Sequence, residues 1–414
     1  MRILMLSQFY PPIIGGEEQH VRNLSVALAR RGHEVAVATL HHDDLPSFAS
    51  TDGVRVYRLN GTMQRAAWLY GDSERRHAPP LPDPEAVAGL RRVVDAERPE
   101  VVHAHNWFVH SFVPLKRQSR AKLVLTLHDY SLCCATKRMM FRESACSGPA
   151  LRRCVPCAIR HYGTLKGAAT LAARWASTVT VRAAVDMFVP VSHAVAVGSG
   201  LTRDRLPFRV IPNFLPDEDD RDDGCFESYL SRLPASEFVL FVGDLSRQKG
   251  IDTLLAAFTG LPVRVPLVLI GRRLPDTPRV VPDGAHIFSN WPHGAIMAAW
   301  RRSMLGVVPS VWPDPCPTVA LEAMASARPV IASAVGGLVD QVIDRETGLL
   351  VPPGDVDALR SAMLRLIADR GWRSALGESA QRHAERFRAA TIVPSIARLY
   401  EELTCATEDG RHAA

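Results

Sequence analysis

One pattern recurs along the whole sequence: a short unbroken apolar run, a loop with polar residues, glycine or proline, and a segment with apolar residues at helical spacing. It begins with RILML (2–6), YPPIIGGEE and HVRNLSVALARRGHEV, and it restarts at EFVLFVGDLSRQKGIDTLLAAF (237–258). Strands that read as continuous apolar runs are typical of parallel sheets covered by helices on both faces. The pattern therefore predicts an α/β chain with two doubly wound, Rossmann-like parallel sheets.

The length of 414 residues suits two domains of ordinary size. Two prolines in RVIPNFLP (209–216) and the acidic run DEDDRDD (217–223) interrupt the periodicity, and we interpret the acidic run as a solvated linker. We expect an N-terminal domain over 1–208, with a cysteine-rich basic insertion at about 131–165, and a C-terminal domain over 209–388. A final helix and tail, 389–414, are expected to pack back on the N-terminal domain.

Composition places the chain among ordinary globular proteins, because 47% of its residues are apolar and 22% are charged. No run approaches the roughly 18 to 20 apolar residues of a membrane span. The opening MRILMLS is too short an apolar run for a signal peptide. We therefore expect a cytoplasmic protein.

The positive charge is concentrated in one segment of the N-terminal half. Between Thr136 and Arg182, nine lysines and arginines accompany the single acid Glu143, a local surplus of +8 against +6 for the whole chain. Such a segment either binds anionic lipid or an acidic substrate, or it is a solvated helix surface. Under the first interpretation, the protein lies peripherally on the inner face of a membrane.

Polar residues directly follow several of the predicted strands. Ligands of open parallel sheets bind beyond the carboxyl ends of the strands, so we expect the chemistry in a cleft between the domains. Gly15 and Gly16 precede a helix, where they either approach an anion or form a plain tight turn. In GDLSRQKG (243–250), Arg247 and Lys249 lie between a strand and a helix, a position suited to a diphosphate.

Histidines end two of the apolar runs. His128 and Asp129 follow the run in TLHDY, and this placement favours a binding site over a buried structural histidine. His103 and His105 end the preceding run. For those two, the sequence leaves both interpretations open.

Two acids lie in DPCPTVALE (314–322), Asp314 in a proline-rich loop and Glu322 one turn into a helix. They form either a general acid and base pair or two carboxylates that bind hydroxyl groups of a sugar and a ribose. Carboxylates accept paired hydrogen bonds from diols, and the loop beside them suits a diphosphate. We therefore favour binding over proton transfer.

Taken together, these motifs resemble those of the retaining glycosyltransferases of family four, and the resemblance covers almost the whole chain. It implies a GT-B fold, a nucleotide sugar as donor, no metal or other cofactor at the transfer centre, and retention at the anomeric carbon. The segments that carry it are GG (15–16), HD (128–129), VSHAV (191–195), IPNF (211–214), GDLSRQKGIDTLL (243–255), DPCPTVALE (314–322), ALEAMASARPVIAS (320–333) and GGLVDQVIDRETGLLVPPGD (336–355).

The resemblance implies a role for each matching residue. Arg247 and Lys249 resemble the cations that hold the diphosphate and stabilise its departure, and developing charge on a leaving diphosphate needs such donors. His128 resembles the residue that contacts the transferred sugar, and Glu322 resembles the carboxylate that binds the ribose. The other residues expected to contact the donor are Gly15, Gly16, Gly243, Pro317 and Thr318.

Two positions depart from the family's pattern. Asp314 lies where the family usually has Glu and contacts the sugar, so that carboxylate is retracted by one methylene. Cys316 and Pro317 replace a common Phe-Gly. Both departures bear on the donor sugar more than on the fold.

Five of the eight cysteines lie between 133 and 157, and RRCVPC contains a C-x2-C pair. Cys134, Cys146, Cys154 and Cys157 would supply four thiolates to a structural zinc ion, which leaves Cys133 surplus. A redox pair and free thiols are the alternatives. Nucleic acid is not an expected partner, because the nearby arginines lack interleaved aromatic residues.

The sequence predicts a glycosyltransferase that moves a hexose from a nucleotide-diphosphate sugar to a hydroxyl of a glycan, a lipid-linked sugar or a small metabolite. Two other functions stay open. One is a sugar-phosphate synthase or phosphorylase on the same fold, and the other is a nucleotide-sugar-binding scaffold whose activity has lapsed.

Overall fold

Two units make up the chain in the computed structural model, which describes residues 1–13, 15–42, 45–65, 76–142, 144–217 and 226–412. Unit 1 comprises Met1–Pro212 and Ile392–Ala414, and unit 2 comprises Asn213–Thr391. The boundary therefore lies between Pro212 and Asn213, inside the segment with the two prolines. The predicted acidic linker lies, apart from Asp217, outside the described residues, as does Glu143.

The centre of unit 1 is a seven-stranded sheet in the order β3-β4-β2-β1-β5-β6-β9. All its pairings are parallel except that of β3 with β4. The strands of this unit, including a separate two-stranded hairpin of β7 and β8, are β1 (Arg2–Leu6), β2 (Glu34–Leu40), β3 (Phe48–Thr51), β4 (Val54–Leu59), β5 (Val101–His105), β6 (Lys122–Leu127), β7 (Met140–Phe141), β8 (Ser144–Ala145) and β9 (Met187–Pro190).

Helices follow most of these strands. At the start of α2, Asp83 accepts hydrogen bonds from two backbone N–H groups of the first turn, and Pro84 occupies the first helical position. The helices of unit 1 are α1 (Gly16–Arg30), α2 (Pro84–Glu97), α3 (Val109–Phe112), α4 (Leu151–Tyr162), α5 (Thr164–Ala184) and α6 (His193–Gly198).

Unit 2 contains a six-stranded sheet in the order β12-β11-β10-β13-β14-β15, and every pairing in it is parallel. Its strands are β10 (Val239–Val242), β11 (Leu267–Ile270), β12 (Ala285–Phe288), β13 (Leu305–Val308), β14 (Val330–Ser333) and β15 (Gly348–Val351). Its helices are α7 (Glu227–Leu230), α8 (Ile251–Thr259), α9 (His293–Arg302), α10 (Thr318–Ala325), α11 (Leu338–Gln341), α12 (Val356–Ala368) and α13 (Arg370–Ala384). The chain ends in α14 (Ala389–His412).

Both faces of the unit 2 sheet are buried. Val239 and Phe241 of β10 pack in one apolar cluster with residues of α8 and α12. Leu240 and Val242 point to the opposite face and pack in a second cluster with residues of α9 and α10. This alternation explains why the strand is apolar throughout, and it confirms the predicted doubly wound architecture. Among the described residues, no helix combines the length and the apolar character needed to cross a membrane.

Candidate functional site

The loop between β10 and α8, residues 243–250, is held against its neighbours by close backbone packing. Gly250 has φ 78°, and a Cβ at this position would lie 1.8 Å from the carbonyl oxygen of Pro309. The N–H of Val311 donates to the carbonyl of Gln248 at 2.9 Å. Glycine is therefore required at position 250, where the loop meets the segment that follows β13. Gly243, at the start of the loop, also has a positive φ, 141°.

Lys249 and Asp314 form an ion pair across these two loops. Lys249 Nζ donates to Asp314 Oδ2 at 2.5 Å, and the Ser310 hydroxyl donates to the same oxygen at 3.3 Å. Asp314 is 4% exposed, and Lys249 Nζ also lies 5.6 Å from the centre of the Trp312 ring. Thus the cation predicted to hold the diphosphate and the carboxylate predicted to contact the sugar are direct partners.

Two glycines after β14 fix the backbone of Asp314. Gly337 N–H donates to the Asp314 carbonyl at 2.7 Å. Gly336 has φ 62°, and a Cβ there would lie 2.3 Å from the same oxygen. The glycine pair that begins GGLVDQVIDRETGLLVPPGD therefore holds the backbone of Asp314 in place.

Arg247 differs from Lys249 in its surroundings. Its side chain is 71% exposed, and its Nε lies 3.2 Å from Asp252 Oδ2. Its backbone N–H donates to Asp276 Oδ2 at 3.0 Å. The two predicted cations are therefore not equivalent, because the partner of Lys249 is buried, whereas Arg247 and its partner Asp252 are both largely exposed.

Glu322 makes contacts different from those of Asp314. Pro317 precedes α10 and Thr318 begins it, so Glu322 lies one turn into the helix. Its carboxylate is buried, 3.3 Å from His293 Nε2, and it accepts a hydrogen bond from Trp300 Nε1 at 3.4 Å. His293 and Trp300 are absent from the sequence prediction. The signal for His293 was its position at a helix start just after β12.

Cys316 is part of the packing around this loop. Its Sγ accepts a hydrogen bond from Gln341 Nε2 at 3.1 Å, and its carbonyl accepts one from Asn213 Nδ2 at 3.0 Å. Burial raises the pKa of the thiol to about 12, so the sulfur stays protonated at neutral pH. Asn213 belongs to the IPNF motif, which therefore holds the loop that carries Asp314.

In unit 1, Gly15 and Gly16 lie at the N-terminus of α1. The φ of Gly15 is −161°, an extended conformation that any residue can adopt. Apart from its chain neighbours and the backbone of its own helix, no atom of the described residues lies within 4 Å of a Cβ built at Gly16. Backbone geometry does not require these glycines, and the open space at Gly16 leaves room for a ligand to approach the helix N-terminus.

Asn106, which follows β5, connects α1 to the end of β6. Its side-chain amide donates to Glu17 Oε2 at 2.6 Å, and its Oδ1 accepts from the backbone N–H of His128 and from the Ser131 hydroxyl, both at 3.4 Å. Asn106 has φ 53°, a conformation that asparagine tolerates better than most residues. Sequence reasoning missed this residue, because a lone Asn after a strand is typical of any turn.

Glu17 is held in an environment that disfavours its charge. Parts of the side chain reach the surface, but its Oε1 is buried and makes no hydrogen bond within the described chain. Burial raises the pKa of Glu17 to about 8, and the nearby carboxyl groups of Glu18 and Asp129 act in the same direction. Glu17 therefore retains a proton near neutral pH and can donate a hydrogen bond.

His128 is supported by a second histidine. Its Nε2 lies 2.9 Å from Nδ1 of His105, and the two rings are stacked. His20 of α1 contacts the His128 ring edge-on, with ring centres 4.9 Å apart. Burial holds the pKa of His105 well below its ordinary value and lowers that of His20 to about 4, so both rings are neutral at pH 7.

His103 is part of the core of unit 1. Its Nδ1 lies 2.6 Å from the Tyr400 hydroxyl on α14, and its Nε2 lies 2.6 Å from the Thr126 hydroxyl. Burial lowers its pKa to about 3. Of the two histidines that the sequence left open, His103 is therefore structural, whereas His105 contacts the predicted site residue His128.

The four cysteines predicted to bind zinc line one small cavity. Among the described residues, however, no group of three or more potential ligands is already arranged to hold an ion.

Comparison with known proteins agrees with these motifs. Residues 232–383 match the family model described as glycosyl transferases group 1, and residues 15–213 match the glycosyl transferase 4-like domain. The chain is 28% identical to a glycogen synthase of Mycobacterium tuberculosis, over 97% of this chain and 94% of that protein. It is also 28% identical to an α-maltose-1-phosphate synthase of Mycolicibacterium smegmatis, over 98% and 100%.

Solved structures share the fold. Sucrose-phosphate synthase from Thermosynechococcus elongatus superposes with a TM-score of 0.73 and 24% identity, covering 98% of this chain and 99% of that one. The HepE protein of Anabaena, solved in complex with UDP, superposes with a TM-score of 0.68 and 18% identity, covering 97% and 100%.

Proposed function

Because the chain is a glycosyltransferase that belongs to the glycosyl transferases group 1 family and has the GT-B fold, we propose that it moves a hexose from a nucleoside-diphosphate sugar to a hydroxyl group with retention at the anomeric carbon. The observation that carries this proposal is the ion pair of Lys249 and Asp314 at the carboxyl ends of β10 and β13. Ligands of parallel sheets bind at that edge.

Lys249 is the group that stabilises the departing diphosphate in this proposal. An ammonium group has three N–H donors, so the hydrogen bond to Asp314 leaves capacity for phosphate oxygens. The N-terminus of α8 begins two residues later and adds a favourable dipole. The bond from the anomeric carbon to the phosphate oxygen breaks, the bond to the acceptor oxygen forms, and the acceptor proton passes to the departing diphosphate.

Asp314 and Glu322 bind hydroxyl groups rather than transfer protons. Asp314 is fixed by Lys249 and Ser310, so it lies beside the leaving group and can accept from a sugar hydroxyl. Glu322, held by His293 and Trp300, is suited to the paired hydroxyls of a ribose. The relative solved with UDP supports a nucleoside diphosphate as the donor's leaving group.

The acceptor belongs to unit 1 in this proposal. Gly16 leaves open space at the start of α1, and His128 and Asn106 lie at the end of β6 and β5. The basic α4–α5 region suggests an anionic or membrane-borne acceptor. Leu151, Val155 and Leu165 are exposed apolar residues in this region and support contact with a lipid surface.

Product analysis tests the proposal. Incubation with UDP-, GDP-, ADP- and dTDP-hexoses and a panel of sugar acceptors should yield a glycoside whose proton NMR coupling shows the same anomeric configuration as the donor. A product of opposite configuration would refute retention. Hydrolysis of the donor without a glycoside would refute transfer to the acceptors tested.

A sugar-phosphate acceptor is the second candidate, because a relative aligned over 98% of the chain is named a maltose-1-phosphate synthase. Parallel reactions with glucose 1-phosphate, glucose 6-phosphate and unphosphorylated sugars separate the two. A phosphorylated disaccharide as the main product would favour the synthase.

A further inference from the structure

The cysteines around α4 have no role in the proposed transfer reaction. Four of them, Cys134, Cys146, Cys154 and Cys157, line a single cavity of about 20 Å³. We propose that this cavity is a structural zinc site, in which the four thiols lose their protons and bind one Zn²⁺ as thiolates.

Three separate segments deliver the four sulfur atoms. Cys154 and Cys157 lie three residues apart on α4 and therefore share one face of the helix. Cys146 follows the β7–β8 hairpin and is tied to it by its N–H, which donates to the Met139 carbonyl at 2.7 Å. Cys157 Sγ lies 3.7 Å from the Met140 carbonyl. Helix and hairpin thus bring their cysteines to the same place.

The fifth cysteine is directed elsewhere. Cys133 Sγ lies 3.0 Å from the Gly198 carbonyl and 3.8 Å from Met139 Sδ, and it does not line the cavity. The structure therefore separates the surplus cysteine from the four candidate ligands, which the sequence spacing alone could not do.

Among the residues that the structure describes, two arginines near the cavity have no acidic partner. Arg153 lines the cavity, and Arg174, at 4% exposure, lies beside these cysteines. Within the described part of the chain, neither guanidinium pairs with a carboxylate, and the Nε of each is buried without a hydrogen bond. Arg174 is a buried cation and therefore needs a counter-charge, whereas Arg153 is half-buried. Zinc bound by four thiolates carries a net charge of −2, which two guanidinium groups would balance.

The size of the cavity favours one ion over a cluster. A volume of about 20 Å³ holds roughly one water-sized sphere, too little for an iron–sulfur cluster. The sulfurs surround this space without already forming a coordination shell, since no group of ligands in the described residues is arranged to hold an ion. Binding must therefore draw them inward to Zn–S distances of about 2.3 Å.

The surrounding region has little else to stabilise it. Its buried apolar cluster consists of Ala135, Ala158 and Leu171, and the hairpin strands have two residues each. Isolated hairpins of this length are marginal in water. Zinc would fix the hairpin to α4. It would also stabilise the loop after β6, which carries His128. That loop is joined to α4 by a hydrogen bond from the Tyr162 hydroxyl to the Ala135 carbonyl at 2.9 Å.

Metal analysis of the full-length protein tests this proposal. We expect about one zinc per chain after purification or after reconstitution with Zn²⁺. The paired variant Cys154→Ser with Cys157→Ser should retain less than about a tenth of that zinc. Cys405→Ser, at an exposed cysteine on α14, is the matched control and should bind zinc like the wild type. Replacement of Zn²⁺ by Co²⁺ should produce a thiolate-to-cobalt charge-transfer band.

The variants need a check that they are folded. Nucleotide binding reports on unit 2, which contains none of these cysteines, and far-UV circular dichroism reports on the whole chain. Equal zinc content in the paired variant and the control would overturn the proposal. So would a wild type that takes up no Zn²⁺ while its four thiols react freely with a thiol reagent, or a wild type that contains iron.

Discussion

At the scale of single residues, the pair of Lys249 and Asp314 has opposite consequences for binding and for transfer. Asp314 neutralises the ammonium group of Lys249. If that group binds the diphosphate as proposed, carboxylate and phosphate compete for the same cation. The carboxylate also orients the ammonium group, and positioned charge is worth more in the transition state than in the ground state. In the proposed function, the pair therefore restrains binding of the nucleotide while it prepares the reaction.

We predict that Asp314→Asn binds the nucleoside diphosphate several-fold more tightly but slows transfer about a hundredfold or more. Lys249→Ala should weaken the same binding, because it removes the cation. Titration calorimetry and initial rates measure the two effects separately. Asp252→Asn is the control: its partner Arg247 is largely exposed, so its effect on binding should stay within about twofold. Weaker nucleotide binding in Asp314→Asn would contradict this account.

Glu17 should make stability depend on pH in a defined window. Its native pKa, about 8, lies above the ordinary value of 4.5, so the native state binds more protons than the unfolded state between these values. The stabilising contribution of this carboxyl to the free energy of unfolding is fully present below about pH 4.5 and is lost as the pH rises through about 8. The free energy of unfolding of Glu17→Gln should therefore lie further below that of the wild type at pH 5 than at pH 8.5. The two offsets should differ by an amount on the order of a few kcal/mol.

Urea unfolding of both proteins at several pH values measures the difference. The control is Glu34→Gln, which removes a carboxyl from a side chain that is two-thirds exposed. A Glu17→Gln offset that varies with pH no more than the offset of the control would contradict the predicted window.

At the scale of elements, apolar runs predicted the strands and the loops after them, because burial on both faces removes polar residues from a parallel strand. They could not predict which strands are neighbours. Lys249 and Asp314 meet because β13 pairs with β10, although β11 and β12 come between them in the chain. The contacts of Glu322 with His293 and Trp300 also depend on tertiary packing. Asn106 was missed because a lone Asn after a strand is a local and common signal.

The packing of the 243–250 loop leads to a test with glycine variants. Gly250→Ala and Gly354→Ala each place an alanine where φ is near 79°. This backbone conformation strains an alanine by about 1 kcal/mol. At Gly354 the nearest atom to the added Cβ is 4.0 Å away, whereas at Gly250 it is the Pro309 carbonyl oxygen at 1.8 Å. Gly250→Ala should therefore cost about 3 kcal/mol or more and weaken nucleotide binding. Equal losses of stability in the two variants would show that the loop relaxes freely.

At the scale of the whole molecule, the two-sheet plan was predictable from the restart of the pattern at 237, and so was the basic character of the α4–α5 region. The exposure of its apolar side chains was not predictable from the sequence. Between Leu151 and Ala184 that region has six lysines and arginines and no acid, and several of its apolar side chains are exposed, with Leu165 88% exposed. Apolar residues beside cations are typical of surfaces that lie on anionic lipid. The region therefore belongs to the proposed acceptor side rather than to the donor site of unit 2.

We predict that Arg152→Gln with Arg160→Gln reduces sedimentation with anionic vesicles, because each cation near such a surface contributes about 1 kcal/mol. Arg91→Gln with Arg92→Gln removes the same charge from exposed positions on α2 and should leave sedimentation nearly unchanged. Cosedimentation with vesicles of phosphatidylglycerol and phosphatidylcholine at low and moderate salt measures both. Equal losses in the two variants would mean that net charge, not this surface, determines binding.

The most direct test of the central claim, that Lys249 and its loop bind a nucleoside-diphosphate sugar, is thermal unfolding of the wild type and Lys249→Ala across UDP, GDP, ADP and dTDP. A ligand that binds the native state alone stabilises it by about 2.7 kcal/mol at a hundredfold excess over Kd. We predict a clear rise in Tm with one nucleotide, and little or none with that nucleotide in Lys249→Ala. An unchanged Tm with every nucleotide and its hexose, or an equal rise in the variant, would contradict the claim.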